Sequence, residues 1–129
     1  MTQKDKELLL KDLCARLSSM VRVEVDDEYM EGVHVLRGYE FGWFVVEGRH
    51  YDIDEVTPYL RPMSSMTDEE RDEFRSLGGV MSYSPEHDRW AISAFAPEAY
   101  DYLNSHHFDY RGLIEKGLAL EAPEDMYKQ

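Results

Sequence analysis

The sequence predicts an α+β fold, with an N-terminal helix, a small antiparallel sheet of three to five strands, C-terminal helices and a docked C-terminal tail. Apolar residues recur at helical spacing over residues 4–17, which predicts the first helix. Apolar and polar residues then alternate strictly over residues 21–26, as in a strand with one solvated face. Helix-capping patterns return beyond residue 50, so helices are expected to follow the sheet.

The first helix is expected to bury one apolar stripe and to expose its lysines and aspartates. Cys14 lies on that stripe, and free cysteines are among the most often buried residues, so we expect a buried thiol. Because the chain has one cysteine, no intrachain disulfide can form. The first residues, MTQKDKE, precede no apolar run typical of a signal peptide, and no run of about 18 apolar residues occurs. These features favour the cytoplasm.

Two further strands are predicted over residues 32–37 and 39–48. In the second of them Trp43 and Phe44 point to opposite faces. This strand is therefore apolar on both sides, and we expect it at the centre of the sheet. The Glu-Gly pair that ends it predicts a tight turn into a strand that begins at residue 49, so the sheet is expected to be a meander.

Capping signals predict two helices after the sheet. A short helix is predicted over residues 52–62, with Asp52 or Asp54 as its cap and Pro58 in its first turn. A second helix, exposed on the surface, begins at the capping box TDEE of residues 67–70 and ends at a pair of glycines.

The last third of the chain contains a hairpin, a helix and a tail. Residues 80–93 predict the hairpin, with SPEHD as its loop. Pro97 predicts the start of a helix that runs to residue 107. Two glycines then prevent any long helix, so we expect short turns that dock on the body through apolar anchors, with the last few residues loose.

Length and charge narrow the classes of function. The chain has 129 residues, the usual size of one domain, and we expect a single domain over residues 1–129. The net charge is −13, from 27 acidic and 14 basic side chains. Such a chain repels nucleic-acid phosphates and anionic lipids, so we expect no direct nucleic-acid partner and no membrane partner. A basic protein partner, a cation or simple solubility fits better, and the acidic excess is concentrated in residues 21–60.

The segment NSHHFDYRGL, residues 104–113, concentrates side chains that could carry chemistry. The candidate catalytic residues are His106, His107, Asp109, Tyr110 and Arg111. Adjacent histidines lie roughly 100° apart around a helix, so both cannot reach one ion from that helix. We therefore favour a structural interpretation, in which one histidine packs under the tail and the other is exposed. A metal-binding or acid–base role is the alternative.

Other motifs of known chemistry are missing from the sequence. The remaining histidines lie in three different predicted elements without metal-ligand spacing, so no metal site is predicted. The chain contains no G-x-S-x-G, no phosphate loop and no G-x-G-x-x-G, so no cofactor is expected.

The aromatic strand supplies the second candidate site. Burial of both Trp43 and Phe44 under the helices is the favoured interpretation, because large aromatic side chains are mostly buried. If helices cover only one face of the sheet, one ring is exposed among acidic side chains. In that case Trp43, Phe44, Glu40 and Glu47 are the candidate partner-binding residues.

Three long stretches carry a resemblance to other proteins. They are LLLKDLCARL (8–17), EVTPYLRPMSSMT (55–67) and YLNSHHFDYRGLIEKGLALEAPEDMY (102–127). In these stretches the chain resembles a family of small uncharacterised proteins from gut Bacteroidetes and their prophages or other mobile elements. The resemblance covers most of the chain and is weakest around residues 76–95. The family has no assigned activity, so the resemblance implies a bacterial or phage cytoplasmic context and transfers no catalytic residue.

The expected function is that of a non-enzymatic, acidic protein-interaction module of a prophage or mobile element, which binds its partner through the aromatic-bearing sheet. One alternative, motivated by the charge, is a DNA-mimicking inhibitor that occupies a basic cleft on a nucleic-acid enzyme. Another is a small hydrolase or metal-dependent enzyme that uses the HHFDYR residues. Finally, the 104–113 segment could serve only to hold the tail to the core of a soluble acidic domain.

Overall fold

The computed structural model describes residues 1–86, 89–94 and 96–127, and it confirms the α+β fold. Its helices are α1 (Gln3–Ala15), α2 (Asp68–Ser76) and α3 (Pro97–Ser105). Its strands are β1 (Arg22–Val25), β2 (His34–Val35), β3 (Gly38–Glu40), β4 (Trp43–Val46), β5 (Arg49–Tyr51), β6 (Val56–Leu60), β7 (Gly79–Ser84), β8 (Arg89–Ala94) and β9 (Leu120–Glu121). Short 3-10 helices occupy Leu17–Ser19, Ile53–Glu55 and Met63–Ser65. No helix among the described residues is long and apolar enough to cross a membrane.

The first six strands belong to two small sheets, and one continuous stretch of chain leads from the first sheet into the second. β1 pairs antiparallel with β2 on one side and with β6 on the other, while β3, β4 and β5 form an antiparallel meander. The chain passes between the sheets just after β2, where Leu36 N–H donates to Val21 C=O and Arg37 N–H donates to Val45 C=O. A 3-10 helix, Ile53–Glu55, leads from β5 to β6.

Two apolar cores organise the molecule. The first packs the inward faces of both sheets against α1. Its buried members are Leu9, Leu13, Val21, Val23, Val25, Leu36, Phe44, Val46, Tyr51, Val56, Leu60, Leu113, Leu118 and Ala119. The second packs α2, α3 and the β7–β8 hairpin together. Its buried members are Met63, Met66, Phe74, Met81, Ala99, Tyr102, Leu103 and Phe108. Because Phe108 lies in the second core and Leu113 in the first, the 104–113 segment joins the two.

Several local predictions are confirmed. α1 covers most of the first predicted helix, and α3 begins at Pro97 as expected. The capping box of α2 is complete, since Glu70 N–H donates to Thr67 Oγ1 at 3.2 Å and Thr67 N–H donates to Glu70 Oε1 at 3.0 Å. The predicted hairpin is the β7–β8 pair, although residues 87 and 88 of its loop lie outside the described residues.

The predicted single strand over residues 39–48 is wrong, because the chain reverses within it. Phe41 and Gly42 form a two-residue turn with positive φ angles of 52° and 85°, and β3 and β4 pair across it. A tight turn of this kind matches the twist of the strands on either side. The alternation of apolar and polar residues continues through it, so periodicity alone concealed the turn. The predicted turn at Glu47 and Gly48 is confirmed by φ angles of 52° and 74°.

The predicted helix over residues 52–62 is also wrong. Asp52 does act as a cap, since its carboxylate accepts the N–H of Ile53 at 2.8 Å, but the helix is a single 3-10 turn. The chain then continues as β6, in which Pro58 lies buried opposite Val23 of β1. Pairing of β6 with strands on both sides outweighs the helical signal of the capping residue.

The inner face of α1 is not the apolar stripe that the sequence predicts. Cys14 is exposed, whereas Asp12 and Arg16 are fully buried beside Leu9 and Leu13. The prediction of a buried thiol is therefore wrong. The physical reason is that Asp12 and Arg16, four residues apart, bind each other through charge-assisted hydrogen bonds and can leave water as a pair.

The tail docks on the body, as predicted. Leu118 packs in the first core, and β9 adds to β6 as a parallel neighbour. The hydroxyl of Tyr127 donates to Tyr59 C=O at 2.7 Å and accepts the N–H of Arg22 at 2.9 Å. The tail is thus fixed by backbone pairing, apolar contact and a bridging hydroxyl. Residues 128 and 129, which the sequence predicts to be loose, lie outside the described residues.

Candidate functional site

The 104–113 segment begins with the reverse turn that ends α3. Phe108 N–H donates to Leu103 C=O at 3.0 Å, and His107 N–H donates to Asn104 C=O at 3.2 Å. These two bonds form the Schellman closure of a helix, whose central residue is left-handed and is usually glycine. Here that residue is His107, with a φ of 66°. A side chain in this conformation costs about 1 kcal/mol or more relative to glycine.

Asp109 and Tyr110, which follow Phe108, both form hydrogen bonds within the fold. The carboxylate of Asp109 accepts the N–H groups of Leu113 and Ile114 at 2.8 and 2.9 Å, which fixes the turn after it. Burial raises the pKa of Asp109, and these two donors oppose the rise. The hydroxyl of Tyr110 donates to the side chain of Asn104 at 2.9 Å. Both side chains therefore direct their polar atoms to neighbours in the chain.

Arg111 belongs to a buried ion network that connects the segment to α1. The Asp12 carboxylate accepts from Arg16 Nε at 2.8 Å, from Arg16 Nη2 at 3.0 Å and from Arg111 Nη1 at 2.8 Å. Arg16 Nη2 also donates to Phe108 C=O at 2.6 Å. The ring of Tyr110 lies beside both guanidinium groups, with its centroid 5.5 Å from Arg16 and 4.6 Å from Arg111. Arg111 thus neutralises a carboxylate in the interior.

The two histidines have different neighbours. His107 is 8% exposed, and its ring stacks on Tyr127 of the tail with centroids 3.7 Å apart. His106 is half-buried, its ring stacks on Tyr102 with centroids 4.1 Å apart, and its Nδ1 lies 3.7 Å from Glu70 Oε2. Burial, together with the positive charge of nearby groups such as Arg16, lowers the pKa of His107 to about 4. His107 is therefore neutral at pH 7.

A cavity opens where α3 ends, and we call it the α3 cavity. It has a volume of about 300 Å³ and is lined by Arg61, Ser105, His106, His107 and Tyr127. A neighbouring cleft of about 510 Å³ shares three of these residues and extends along the tail. No group of three or more His, Cys, Asp or Glu among the described residues is placed to hold a metal ion.

The charged groups at the edge of the α3 cavity bind each other. Arg61 donates to both carboxylate oxygens of Glu70, at 2.7 and 2.8 Å, and its guanidinium lies 4.1 Å from the ring centroid of Phe108. The bonds from Arg61 lower the pKa of Glu70 to about 2. Glu70 is consequently ionised at neutral pH and is a poor general base for His106 or for a substrate.

The candidate partner-binding residues lie on different faces of the meander. Phe44 points into the first core and is buried, whereas Trp43 is 45% exposed on the outer face. The favoured prediction that both rings are buried is therefore wrong, because Trp43 lies on the face of β4 opposite to Phe44 and the core. Glu40 lies beside Trp43 and binds His50 across the strand at 2.9 Å. Glu47 lies at the opposite turn, with its carboxylate 3.6 Å from His34.

Phe41 is the residue that sequence reasoning missed as a functional candidate. It forms the tip of the β3–β4 turn and is 96% exposed. It also has a φ of 52°, a conformation that is a true outlier for a bulky side chain. Turns of this type favour Asn-Gly or Asp-Gly, so the dipeptide Phe-Gly between two alternating stretches is the signal that could have revealed it.

No protein-family model, no curated protein and no solved structure matches the chain.

Proposed function

We propose that this protein is a non-enzymatic protein-interaction module that binds its partner with the β3–β4 turn. The observation that carries the proposal is the position of Phe41, which is both 96% exposed and left-handed. Because the ring is exposed, the fold gains no free energy from burying it. The left-handed conformation also costs more free energy for phenylalanine than it would for asparagine or glycine. A partner that buries the ring would offset both costs.

The neighbours of Phe41 enlarge the proposed surface. Trp43 on β4 is partly exposed, and Glu40 on β3 is its direct cross-strand neighbour. Aromatic residues at the centre of a contact and charged residues at its rim are the usual arrangement of protein interfaces. We call Glu40, Phe41 and Trp43 the hairpin surface.

Charge indicates what kind of partner fits the hairpin surface. The chain carries a net charge of −13, and residues 21–60 contain ten acidic and three basic side chains. We infer a partner with an apolar pocket for Phe41, surrounded by lysine or arginine side chains. Such cations favour both the carboxylate of Glu40 and the ring face of Trp43.

The proposed context is the cytoplasm of a bacterium that carries a prophage or mobile element. The resemblance of residues 8–17, 55–67 and 102–127 to proteins of gut Bacteroidetes supports this context. The enzymatic alternative has weaker support, because Asp109, Tyr110 and Arg111 direct their polar atoms to other groups of the fold.

A DNA-mimicking inhibitor is the second candidate, and the net charge of −13 favours it. A mimic binds a basic cleft mainly through many carboxylates, so its affinity falls steeply with salt concentration. A module that inserts Phe41 into an apolar pocket retains much of its affinity at high salt, because burial of apolar surface is not screened.

A quantitative capture experiment tests the proposal. Tagged wild-type protein, Phe41→Asn and Tyr29→Ala are incubated with bacterial host lysate at low and high salt, and captured proteins are measured by mass spectrometry. Asparagine suits the left-handed turn position, so Phe41→Asn removes the ring and retains the hairpin. Tyr29 is a matched control, because its ring is 78% exposed outside the hairpin.

We expect a basic protein whose enrichment falls at least about tenfold with Phe41→Asn, as loss of a central aromatic anchor implies, and is retained with Tyr29→Ala. It should also be retained at high salt. A partner whose enrichment is equal for Phe41→Asn and wild type would contradict the proposal. A partner lost at high salt and insensitive to Phe41 would favour the mimic instead.

A further inference from the structure

The hydroxyl of Tyr127 lies between backbone groups of β1 and β6. It accepts the N–H of Arg22 at 2.9 Å and donates to the C=O of Tyr59 at 2.7 Å. Val23 is opposite Pro58 in the register of the two strands, so Arg22 and Tyr59 are the next opposed pair. Burial raises the pKa of Tyr127 to about 12, so the hydroxyl keeps its proton at neutral pH and can donate. The tail therefore inserts one side-chain oxygen between the ends of two paired strands.

The alternation of the β1–β6 ladder indicates that Arg22 and Tyr59 can also bond to each other directly. Opposed pairs in antiparallel strands are alternately hydrogen-bonded and non-hydrogen-bonded. Asp26 N–H donates to Glu55 C=O at 2.8 Å, so every second pair from there is of the hydrogen-bonded type, and the pair of Arg22 and Tyr59 is one of them. The pair before it contains the proline of β6, which has no N–H and fits a non-bonded position. Arg22 N–H is thus directed towards Tyr59 C=O, and the hydroxyl of Tyr127 stands between them.

The other contacts of the tail are local. β9 has two residues, and Ala122 N–H donates to Leu60 C=O at 2.8 Å. Arg22 Nη1 donates to Met126 C=O at 2.6 Å. A cleft of about 510 Å³ lies between the tail and the residues that follow β6. Among the described residues, no buried member of either core belongs to residues 120–127. This part of the tail can therefore leave the body while both cores stay packed.

Docking of the tail carries a cost at His107. The ring of Tyr127 stacks on the imidazole with centroids 3.7 Å apart, and His107 Nδ1 is enclosed without a hydrogen-bond partner in the described part of the chain. An enclosed polar atom that lacks a partner is destabilising. Departure of Tyr127 opens one face of the imidazole to water, which reduces this cost. The strand pair and His107 can thus both satisfy their polar groups when the tail is away.

We propose that residues 120–127 form a latch that releases from the body as one unit. In the closed state Tyr127 bridges β1 and β6, and in the released state Arg22 N–H bonds directly to Tyr59 C=O. Because the two strands stay hydrogen-bonded in both states, release costs much less free energy than unfolding of the chain. Release uncovers the edge of β6 that β9 occupies, and a free strand edge can accept an extended segment. The latch thus controls access to this edge.

Hydrogen exchange of the backbone amides tests the latch in the full chain, with NMR detection under native conditions. We expect the protection factor of the Ala122 amide to be at least about tenfold lower than that of the Glu24 amide, which lies in the middle of the β1–β6 pairing. Equal protection of these two amides would overturn the proposal, because the tail would then open only when the whole chain unfolds.

The variant Tyr127→Phe distinguishes a latch from a tail that only completes the fold, because it removes the bridging hydroxyl. We expect protection of Ala122 to fall about tenfold, as loss of two hydrogen bonds implies, and protection of Arg22 to change by about threefold or less. The N–H of Arg22 should stay protected because it bonds to Tyr59 C=O instead. Tyr110→Phe, which removes a hydroxyl bonded within the 104–113 segment, is the control and should leave both amides unchanged.

Two results with the folded Tyr127→Phe variant would overturn the proposal. One is a fall in protection at Arg22 as large as that at Ala122, which would show that the strands cannot bond without the hydroxyl. The other is unaltered protection at Ala122, which would show that the hydroxyl does not hold the tail closed. If the variant fails to fold, the comparison of Ala122 with Glu24 in the wild-type chain decides the question.

Discussion

The 104–113 segment and the β3–β4 turn differ in opposite ways from what their sequences suggest. The segment is rich in histidine, aspartate, tyrosine and arginine, yet Asp109, Tyr110 and Arg111 bind groups inside the fold. The turn consists of only Phe41 and Gly42, yet the ring of Phe41 is almost completely exposed. Reactive residue types therefore lie where two cores are joined, whereas the Phe-Gly dipeptide presents the exposed ring that we propose binds a partner.

The difference arises because the 104–113 segment is largely buried, whereas the ring of Phe41 is exposed to solvent. Polar groups that enter the interior must find partners, so a segment that crosses between two cores needs many of them. Asp12 binds both Arg16 and Arg111 in this way. An exposed ring, in contrast, is tolerated only at a cost, and backbone strain at Phe41 adds to it. We therefore base the proposed function on the free-energy cost of the exposed, strained Phe41 and not on the variety of side chains in the 104–113 segment.

The largest effect is expected from the ion network that attaches the segment to α1. Asp12→Ala leaves the buried guanidinium of Arg16 without its carboxylate and should lower the free energy of unfolding by about 3–5 kcal/mol. Urea denaturation measures it. Glu7→Ala, on the exposed face of the same helix, is the control and should change stability by roughly 0.5 kcal/mol or less. A loss below about 1 kcal/mol for Asp12→Ala would show that the network does not support the fold.

A slightly smaller or similar effect is expected from the two apolar anchors of the segment. Phe108→Ala should cost about 3–5 kcal/mol and Leu113→Ala about 2–5 kcal/mol, because both side chains are fully buried. Their losses should be nearly additive if the segment contacts two separate cores. Chemical denaturation of both single variants and the double variant checks this. Strong non-additivity would contradict the division into two cores.

An effect of intermediate size is expected from pH. The pKa of His107 falls from its ordinary 6.5 to about 4 on folding, so the unfolded chain binds the additional proton between these values. Stability is therefore full above pH 6.5 and declines as pH falls towards 4, by at most about 3 kcal/mol. The raised pKa of Asp109 acts in the opposite sense, so the variant His107→Gly isolates the contribution. Its unfolding midpoint should depend less on pH in this window, and an identical dependence would argue against a buried, neutral His107.

The smallest effect on stability is expected at the β3–β4 turn, where it should be positive. Phe41→Asn replaces a strained residue by one that tolerates the left-handed conformation, so stability should rise by roughly 1 kcal/mol or less. Thermal unfolding of wild type and variant measures it, with Tyr29→Ala as the neutral control. A clear destabilisation by Phe41→Asn would mean that the ring serves the fold, which would weaken the contrast between the two regions.

Sequence reasoning predicted those parts of the fold that depend on local signals. The first helix, the capping box of Thr67 and Glu70, the turn at Glu47 and the start of α3 at Pro97 each follow from residues within a few positions of one another. The docked tail also follows locally, because glycines prevent a long helix and leave its leucines to find the core.

The errors concern features that only the assembled fold decides. Pro58 lies in a strand because β6 is paired on both sides, and Cys14 is exposed because the buried pair of Asp12 and Arg16 takes the inner face of α1. At the candidate site, the sequence placed Trp43 and Glu40 on a possible partner surface. It could not assign Phe41 to the tip, because the alternation of apolar residues runs through the turn without a break.

Site-specific photo-crosslinking tests the central claim most directly, because it records what touches the hairpin surface. A photoreactive residue at Glu40 leaves Phe41 and Trp43 intact, and one at Ser82, exposed on the β7–β8 hairpin, is the control. We predict a discrete adduct with one basic protein from position 40, absent from position 82 and lost when Phe41→Asn is added. Equal adducts at both positions, or an adduct that persists with Phe41→Asn, would contradict the assignment of function to this turn.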